Sequence, residues 1–100
     1  MAAYLISDVS VRNAEAFQTY RTRAAASIAQ YGGRYLVRGG AIETLEGGWV
    51  PRTIIVVEFA DLDRARAWYR SPEYAFALSV RDEALDRNRI LVDGISGQAA

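Results

Sequence analysis

The sequence predicts a single α+β domain with the element order β-α-β-β-α-β. Three observations predict it. Four short strand-like runs fall near residues 3–9, 34–38, 53–59 and 89–93; helical periodicity separates the first pair and the last pair; and Asn, Asp, Ser and paired Gly stand at the junctions, where caps and turns need them.

The first run, Ala3 to Val9, alternates, with Tyr4, Ile6 and Asp8 on one face and Leu5, Ser7 and Val9 on the other. Asn13 offers a helix N-cap, and Phe17, Tyr20, Ala24, Ile28 and Tyr31 recur at helical spacing over Ala14 to Tyr31, giving one stripe to face a sheet. Gly32-Gly33 ends this helix, because Gly adopts the left-handed C′ conformation without steric penalty. Arg34 to Arg38 is a second strand stopped by Gly39-Gly40, and Ala41 to Pro51, with Gly47-Gly48 inside it, reads as a long hairpin arm. Thr53 to Phe59 is the third strand. Thr53, Ile55, Val57 and Phe59 line one face; Ile54, Val56 and Glu58 line the other, and Glu58 alone interrupts the apolar run on that face, as expected of a central strand covered on both sides. Asp61 caps a second helix with Leu62, Ala65, Trp68 and Tyr69 on its inner side. Ser71-Pro72-Glu73 restarts the helix through an N-cap, a proline at N1 and an acid in the first turn, and the stripe continues at Tyr74, Leu78, Arg81 and Leu85. A last strand spans Arg89 to Asp93 and stops at Gly94; residues 96–100 read as a tail beyond a single domain of residues 1–95.

This order is the split βαβ pattern of ferredoxin-like folds: a four-stranded antiparallel sheet, its first and third strands central, with the helices on one face. The other face is then bare. Four strands of about six residues, spaced ~4.8 Å with a ~3.3 Å rise, cover roughly 400 Å². Covering the apolar part would contribute at most ~10 kcal/mol per subunit at ~25 cal/mol per Å². A patch of this size, in a chain that is 51% hydrophobic, predicts a homodimer that packs sheet face on sheet face.

Composition narrows the chemistry. The chain has no Cys and no His, which excludes disulfides, Cys/His zinc sites, His-ligated haem, thiol nucleophiles and His-dependent triads. No Asp-rich loop suggests a carboxylate-only metal site, and no cofactor is expected. Twelve basic residues, all Arg, balance twelve acidic ones and are spread along the chain with acids between many of them, so no footprint for nucleic acid or an anionic membrane is expected. The all-Arg usage reads as coding bias more than as a binding surface. No signal peptide and no apolar run near the ~20 residues of a membrane span is evident, so a cytoplasmic location is expected. Neither Gly39-Gly40 nor Gly47-Gly48 precedes Lys-Ser/Thr or sits between a strand and a helix N-terminus, so no phosphate loop or dinucleotide fingerprint is present. An RNA-recognition module of the same topology is excluded because Thr53 to Phe59 lacks the stacking aromatics and basic residue it requires.

The segment Gly32-Gly33-Arg34-Tyr35-Leu36-Val37-Arg38-Gly39-Gly40 resembles the GG-x-Y-x-V-R-GG segment of the "domain of unknown function 1330" family. So do Leu45-Glu46-Gly47-Gly48-Trp49, Pro51-Arg52, Glu58-Phe59 and Trp68-Tyr69-Arg70-Ser71-Pro72-Glu73-Tyr74. Together these segments run in order over roughly Ala3 to Gly94. The resemblance implies a dimeric α/β-barrel, in which two ferredoxin-like subunits pack their sheets together. It implies no activity of its own. Relatives by fold include cofactor-independent monooxygenases, muconolactone isomerases, chlorite dismutase-like haem proteins and stress-responsive barrel proteins.

Candidate site residues follow from ionisable or aromatic groups at structurally exceptional positions. Glu58 and Arg38 each end an apolar strand run, and the two strands are joined by a hairpin. A carboxylate beside Arg there would be a general base, a ligand contact or a structural ion pair. Trp68, Tyr69, Ser71 and Tyr74 would wall a small-molecule pocket, against a reading in which Trp68 plugs the core and Ser71 only caps a helix. Tyr20 belongs to the core, with its hydroxyl at a pocket mouth. Arg81 interrupts the apolar stripe of the third helix and is expected to meet a carboxylate or a ligand, and Asp8 reads as a turn residue. Trp49 and Arg52, flanked by Gly and Pro in the arm, suit a dimer contact. Two functions fit these residues: a cofactor-independent enzyme acting on a small apolar or aromatic metabolite, with Glu58 as base and Arg38 or Arg81 stabilising negative charge; or a non-catalytic, small-molecule-binding or stress-related homodimer.

Overall fold

The computed structural model describes residues 1–95; the tail expected at 96–100 lies outside the described residues. Its elements are β1 (Ala3–Val11), α1 (Ala14–Gln30), β2 (Arg34–Arg38), β3 (Ile54–Phe59), α2 (Leu62–Tyr69), α3 (Pro72–Leu78), α4 (Arg81–Ala84) and β4 (Leu85–Asp93). The strands form one antiparallel sheet in the order β2-β3-β1-β4, with β1 and β3 central. This is the ferredoxin-like α+β fold that the sequence predicts.

The caps act where the residue types place them. The Asn13 side chain accepts from the Ala16 amide at 2.9 Å, that of Asp61 from Arg64 at 2.7 Å and that of Ser71 from Tyr74 at 3.1 Å. At the end of α1, Gly32 takes φ +77°. The Gly33 amide reaches back to the Ile28 carbonyl at 2.9 Å and that of Gly32 to Ala29 at 3.1 Å, the two bonds of a Schellman motif. Gly33 itself is required by contact: a Cβ there would lie 2.7 Å from Ile28 Cγ2 and 2.8 Å from Phe59 Cε1.

Residue alternation assigns the two faces. Ala3, Leu5, Ser7 and Val9 of β1, with Val57 and Phe59 of β3, are buried beneath the helices, where they meet Tyr20, Ala24 and Ile28 of α1, Ala65 and Trp68 of α2 and Tyr74 and Ala77 of α3. The opposite face carries Ile6, Ile54, Val56, Ile90 and Val92 with no element over them; Ile90 is 59% exposed and Val92 40%. The arm between β2 and β3 is irregular and exposed, and Asp8 at the end of the β1–β3 pairing anchors it. The Asp8 carboxylate accepts from the Trp49 indole at 3.1 Å and from the Arg52 amide at 3.0 Å. Among the described residues, no helix is long and apolar enough to cross a membrane.

One expectation is corrected. The helix restarted at Ser71 does not run through Arg81 to Leu85: α3 ends at Leu78, α4 is a separate four-residue turn, and Leu85 opens β4 opposite Val11. β4 therefore begins four residues earlier than expected. Its inward positions are Leu85, Arg87, Arg89 and Leu91, and two arginines among them disguise the alternation as a polar stretch.

Candidate functional site

The shift in β4 creates the site. Cross-strand register sets Arg89 opposite Ser7 and Arg87 opposite Val9, so both guanidiniums point under the helices instead of into solvent. There they meet two phenols. Tyr20 comes from the buried stripe of α1 and Tyr74 from the first turn of α3, fixed by the Ser71 cap, and their hydroxyl oxygens lie 2.8 Å apart. Arg87 donates to Tyr20 through a short hydrogen bond and to Tyr74 at 2.8 Å. Arg89 donates to Ser7 Oγ at 2.8 Å, to Tyr74 at 2.5 Å and to Tyr20 at 3.4 Å. The Arg89 guanidinium carbon stands 5.7 Å from the Trp68 ring centroid, and the Trp68 indole is held by Ser27 Oγ at 2.9 Å. Among the described residues, no carboxylate pairs with either arginine.

Donor counting makes this cluster unusual. Four guanidinium N–H groups aim at the two phenol oxygens, and the bond between those oxygens uses one hydroxyl proton as well. Two neutral phenols offer four lone pairs, one short of these five donors. One phenolate and one phenol offer five. The electrostatics favour Tyr20 over Tyr74 as the oxygen that loses its proton first. Burial pushes Tyr20 up, but the Arg89 and Arg87 charges with the Tyr74 hydrogen bond outweigh it and hold Tyr20 below the ordinary tyrosine value. Burial dominates at Tyr74 and, with Tyr20 beside it, pushes that group up to about 12. The pair separates into a retained proton on Tyr74 and an acidic Tyr20, a pattern that marks acid–base sites.

Tyr20, Arg87 and Arg89 open onto a cavity of about 240 Å³ between α1 and the sheet, otherwise lined largely by Leu5, Val9, Phe17, Ile28, Ile55 and Val57. A dry cavity of ~150 Å³ is enough to hold benzene, so this one has room for a small one- or two-ring molecule. Arg38 stands at this cavity and stacks on Tyr35, 4.3 Å from its centroid.

The other expected site residues distribute as follows. Arg38 and Glu58 do not meet. Arg38 pairs in register with Ile55 near the start of β3, whereas Glu58, near its other end, pairs with Arg34 and Tyr4 on the open face, and a β-bulge between Tyr35 and Val37 turns Arg38 to the helix face. Glu58 accepts from Arg34 Nε at 2.7 Å, and that bond holds its carboxyl below the usual range. Trp68, Tyr69 and Arg81 line a second cleft, of about 360 Å³, beside α2 and β4. Ser71 is buried and bonded to Trp68 O and to the Tyr74 amide, as a helix cap is. Arg81 meets the neighbouring Asp82 at 3.3 Å. Trp49, 64% exposed, borders a shallow pocket with Ile6, Ile54 and Ile90 at the edge of the open face, and Arg52 is held nearby through its amide. Arg87 and Arg89 were missing from the sequence expectations. The signal that finds them is the period-two series Leu85, Arg87, Arg89, Leu91 facing Val11, Val9, Ser7 and Leu5.

Fold and site together define a ferredoxin-like α/β protein with an arginine–tyrosine cluster under its helices. The chain belongs to the Domain of unknown function (DUF1330) family, whose profile matches residues 2–95. No curated protein matches the sequence. Among solved structures, it is similar to a protein of unknown function from Rhodopseudomonas palustris, with 18% identity and a TM-score of 0.76 over 95% of this chain and 83% of that one. It is also similar to SnoaB, a cofactor-independent oxygenase from Streptomyces nogalater, with 14% identity and a TM-score of 0.63 over 95% and 94%. A dimeric protein of unknown function and ferredoxin-like fold from Bacteroides fragilis gives 16% identity and a TM-score of 0.60 over 93% and 96%. At these identities the likeness is one of fold.

Proposed function

We propose that the chain is a homodimeric, cofactor-independent enzyme that removes a proton from a small apolar or aromatic substrate in the cavity between α1 and the sheet. Ionised Tyr20 is the base: the long 3.4 Å contact from Arg89 yields to free the lone pair that takes the proton, and the electron pair left on the substrate delocalises onto an oxygen facing Arg87 and Arg89. The observation that carries the reading is the pair of guanidiniums without a carboxylate, shared between two phenols at the mouth of an apolar cavity. The cofactor-independent oxygenase SnoaB shares this fold, which supports substrate chemistry without a bound cofactor. Glu58, on the far face and already bonded to Arg34, is assigned no part in the proton transfer.

The dimer is part of this proposal. Its support is the uncovered apolar face around Ile6, Ile54, Val56, Ile90 and Val92, bordered by Trp49, together with the dimeric Bacteroides fragilis neighbour. Light scattering at micromolar concentration is expected to give twice the chain mass; a monomer mass refutes the dimer.

Solvent deuterium exchange into 2-indanone, a two-ring ketone with acidic C–H bonds, tests the chemistry. Tyr20→Phe is expected to slow exchange by ~10²–10⁴-fold while leaving ketone binding in place. Equal exchange by wild type and Tyr20→Phe overturns Tyr20 as the base. One observation favours a non-catalytic binding protein instead: every buried polar side-chain atom among the described residues already has a partner. Tight ketone binding with no exchange above the buffer rate selects that reading.

A further inference from the structure

The proton transfer is placed in the cavity under α1, and the cleft beside α2, which shares Arg87 and Arg89 with that cavity, carries an unbalanced set of charges. Arg66, Arg70, Arg81, Arg87 and Arg89 line it, with no carboxylate among the lining residues, although the chain as a whole balances twelve basic with twelve acidic residues. These arginines are dispersed in sequence over α2 and its C-cap, α4 and β4, and only the fold collects them. The acids nearest to them do not neutralise the cleft. Asp63 meets Arg66 at 3.5 Å and Asp82 meets Arg81 at 3.3 Å, with carboxylate side chains 95% and 91% exposed, and such rim pairs are worth little. Arg70 has no side-chain ion-pair or hydrogen-bond partner among the described residues. Below the guanidiniums lies an apolar floor of Leu5, Ala65, Trp68 and Leu91.

We infer that this cleft is an anion-binding site for a multiply charged oxyanion group, a phosphate or a cluster of carboxylates, carried on a small molecule whose apolar part rests on that floor. Planar guanidiniums bind such oxygens through paired N–H bonds, and several forks converging on one group suit two or more negative charges better than one. The cleft volume of about 360 Å³ holds a charged group together with a short carbon skeleton. Arg87 and Arg89 form the wall between this cleft and the cavity under α1, so an anion here adjoins the proton-transfer site. The inference itself rests on Arg66, Arg70 and Arg81, which the α1 cavity does not share.

Isothermal titration of the full-length protein with inorganic pyrophosphate and, separately, with tricarballylate tests it, and the two probes separate a phosphate source from a carboxylate one. Binding of either probe is expected, weakening as salt is raised. Arg70→Gln and Arg81→Gln are each expected to weaken it at least tenfold without moving the unliganded unfolding midpoint. Failure of both probes to bind at millimolar concentration overturns the inference. So does binding that is unchanged within twofold in the Arg70→Gln/Arg81→Gln double variant. If only Arg87→Gln and Arg89→Gln abolish binding, the anion belongs to the arginine–tyrosine cluster; the proposed function then stands and the cleft site falls.

Discussion

Arg89→Gln is expected to destabilise the fold by about 1.5–4 kcal/mol at neutral pH, and the figure follows from what the guanidinium touches. Ser7 is 1% exposed, and the 2.8 Å bond from Arg89 Nε is its inward contact; an orphaned buried hydroxyl costs about 1–3 kcal/mol. Losing the guanidinium from its place beside Trp68 and Tyr74, 5.7 and 5.8 Å from their centroids, adds about 0.5–1 kcal/mol. For a domain of this size the sum corresponds to a fall in Tm of roughly 6–32 °C. Urea unfolding followed by circular dichroism and Trp fluorescence measures it. A change below about 0.5 kcal/mol, the range of an ordinary surface substitution, would refute the packing argument. Arg89→Met, which keeps the apolar stem over Trp68, separates charge from packing: Tyr20 is expected to titrate higher in both variants, and an unmoved Tyr20 would show that the Arg89 charge is not what holds it down.

The same groups set a pH dependence. Tyr20 is more acidic folded than unfolded, so its stabilisation grows as pH rises toward the ordinary tyrosine value of 10.0 and is lost as pH falls through the folded value. Tyr74 works in the opposite sense. It keeps its proton in the folded state up to about 12, so stability falls between 10.0 and about 12, where burial of Tyr35 adds to the loss. Urea midpoints across this range are expected to rise and then fall, and a monotonic fall from neutral pH contradicts the Tyr20 assignment. Gly33→Ala drives a methyl group into Ile28 and Phe59, themselves 4% and 0% exposed, and is expected to cost about 1–3 kcal/mol; a neutral effect in the same unfolding assay would mean that the α1–β3 junction gives way more easily than its geometry implies.

What could be read in advance divides along physical lines. Caps, glycine stops and the apolar third strand are local signals, and Asn13, Asp61, Ser71, Gly32 and Phe59 all serve as their residue types require. The β-α-β-β-α-β order followed from them. The site did not, because it depends on register. Which face Arg87 and Arg89 occupy is decided by pairing with a strand about eighty residues earlier, and an Arg-x-Arg sequence looks solvated until that pairing is known. Arg38 and Glu58 stand at opposite ends of the antiparallel β2–β3 pair, and the bulge in β2 also turns Arg38 to the helix face, neither of which is visible before the register is known. Tyr20 and Tyr74 were visible as individual residues on helical stripes, but their meeting required α1 and α3 to pack side by side. Charge dispersed along the chain proved concentrated in space, and composition alone carries no trace of that.

The central claim is that Arg87 and Arg89 make Tyr20 more acidic than an ordinary tyrosine. Ultraviolet difference titration of tyrosinate absorbance, in wild type and in Tyr20→Phe, tests it most directly. The account predicts one phenol titrating below the ordinary tyrosine range in wild type and absent from the variant, with the remaining tyrosines unchanged or higher. Superimposable titration curves for the two proteins below pH 10 would contradict it.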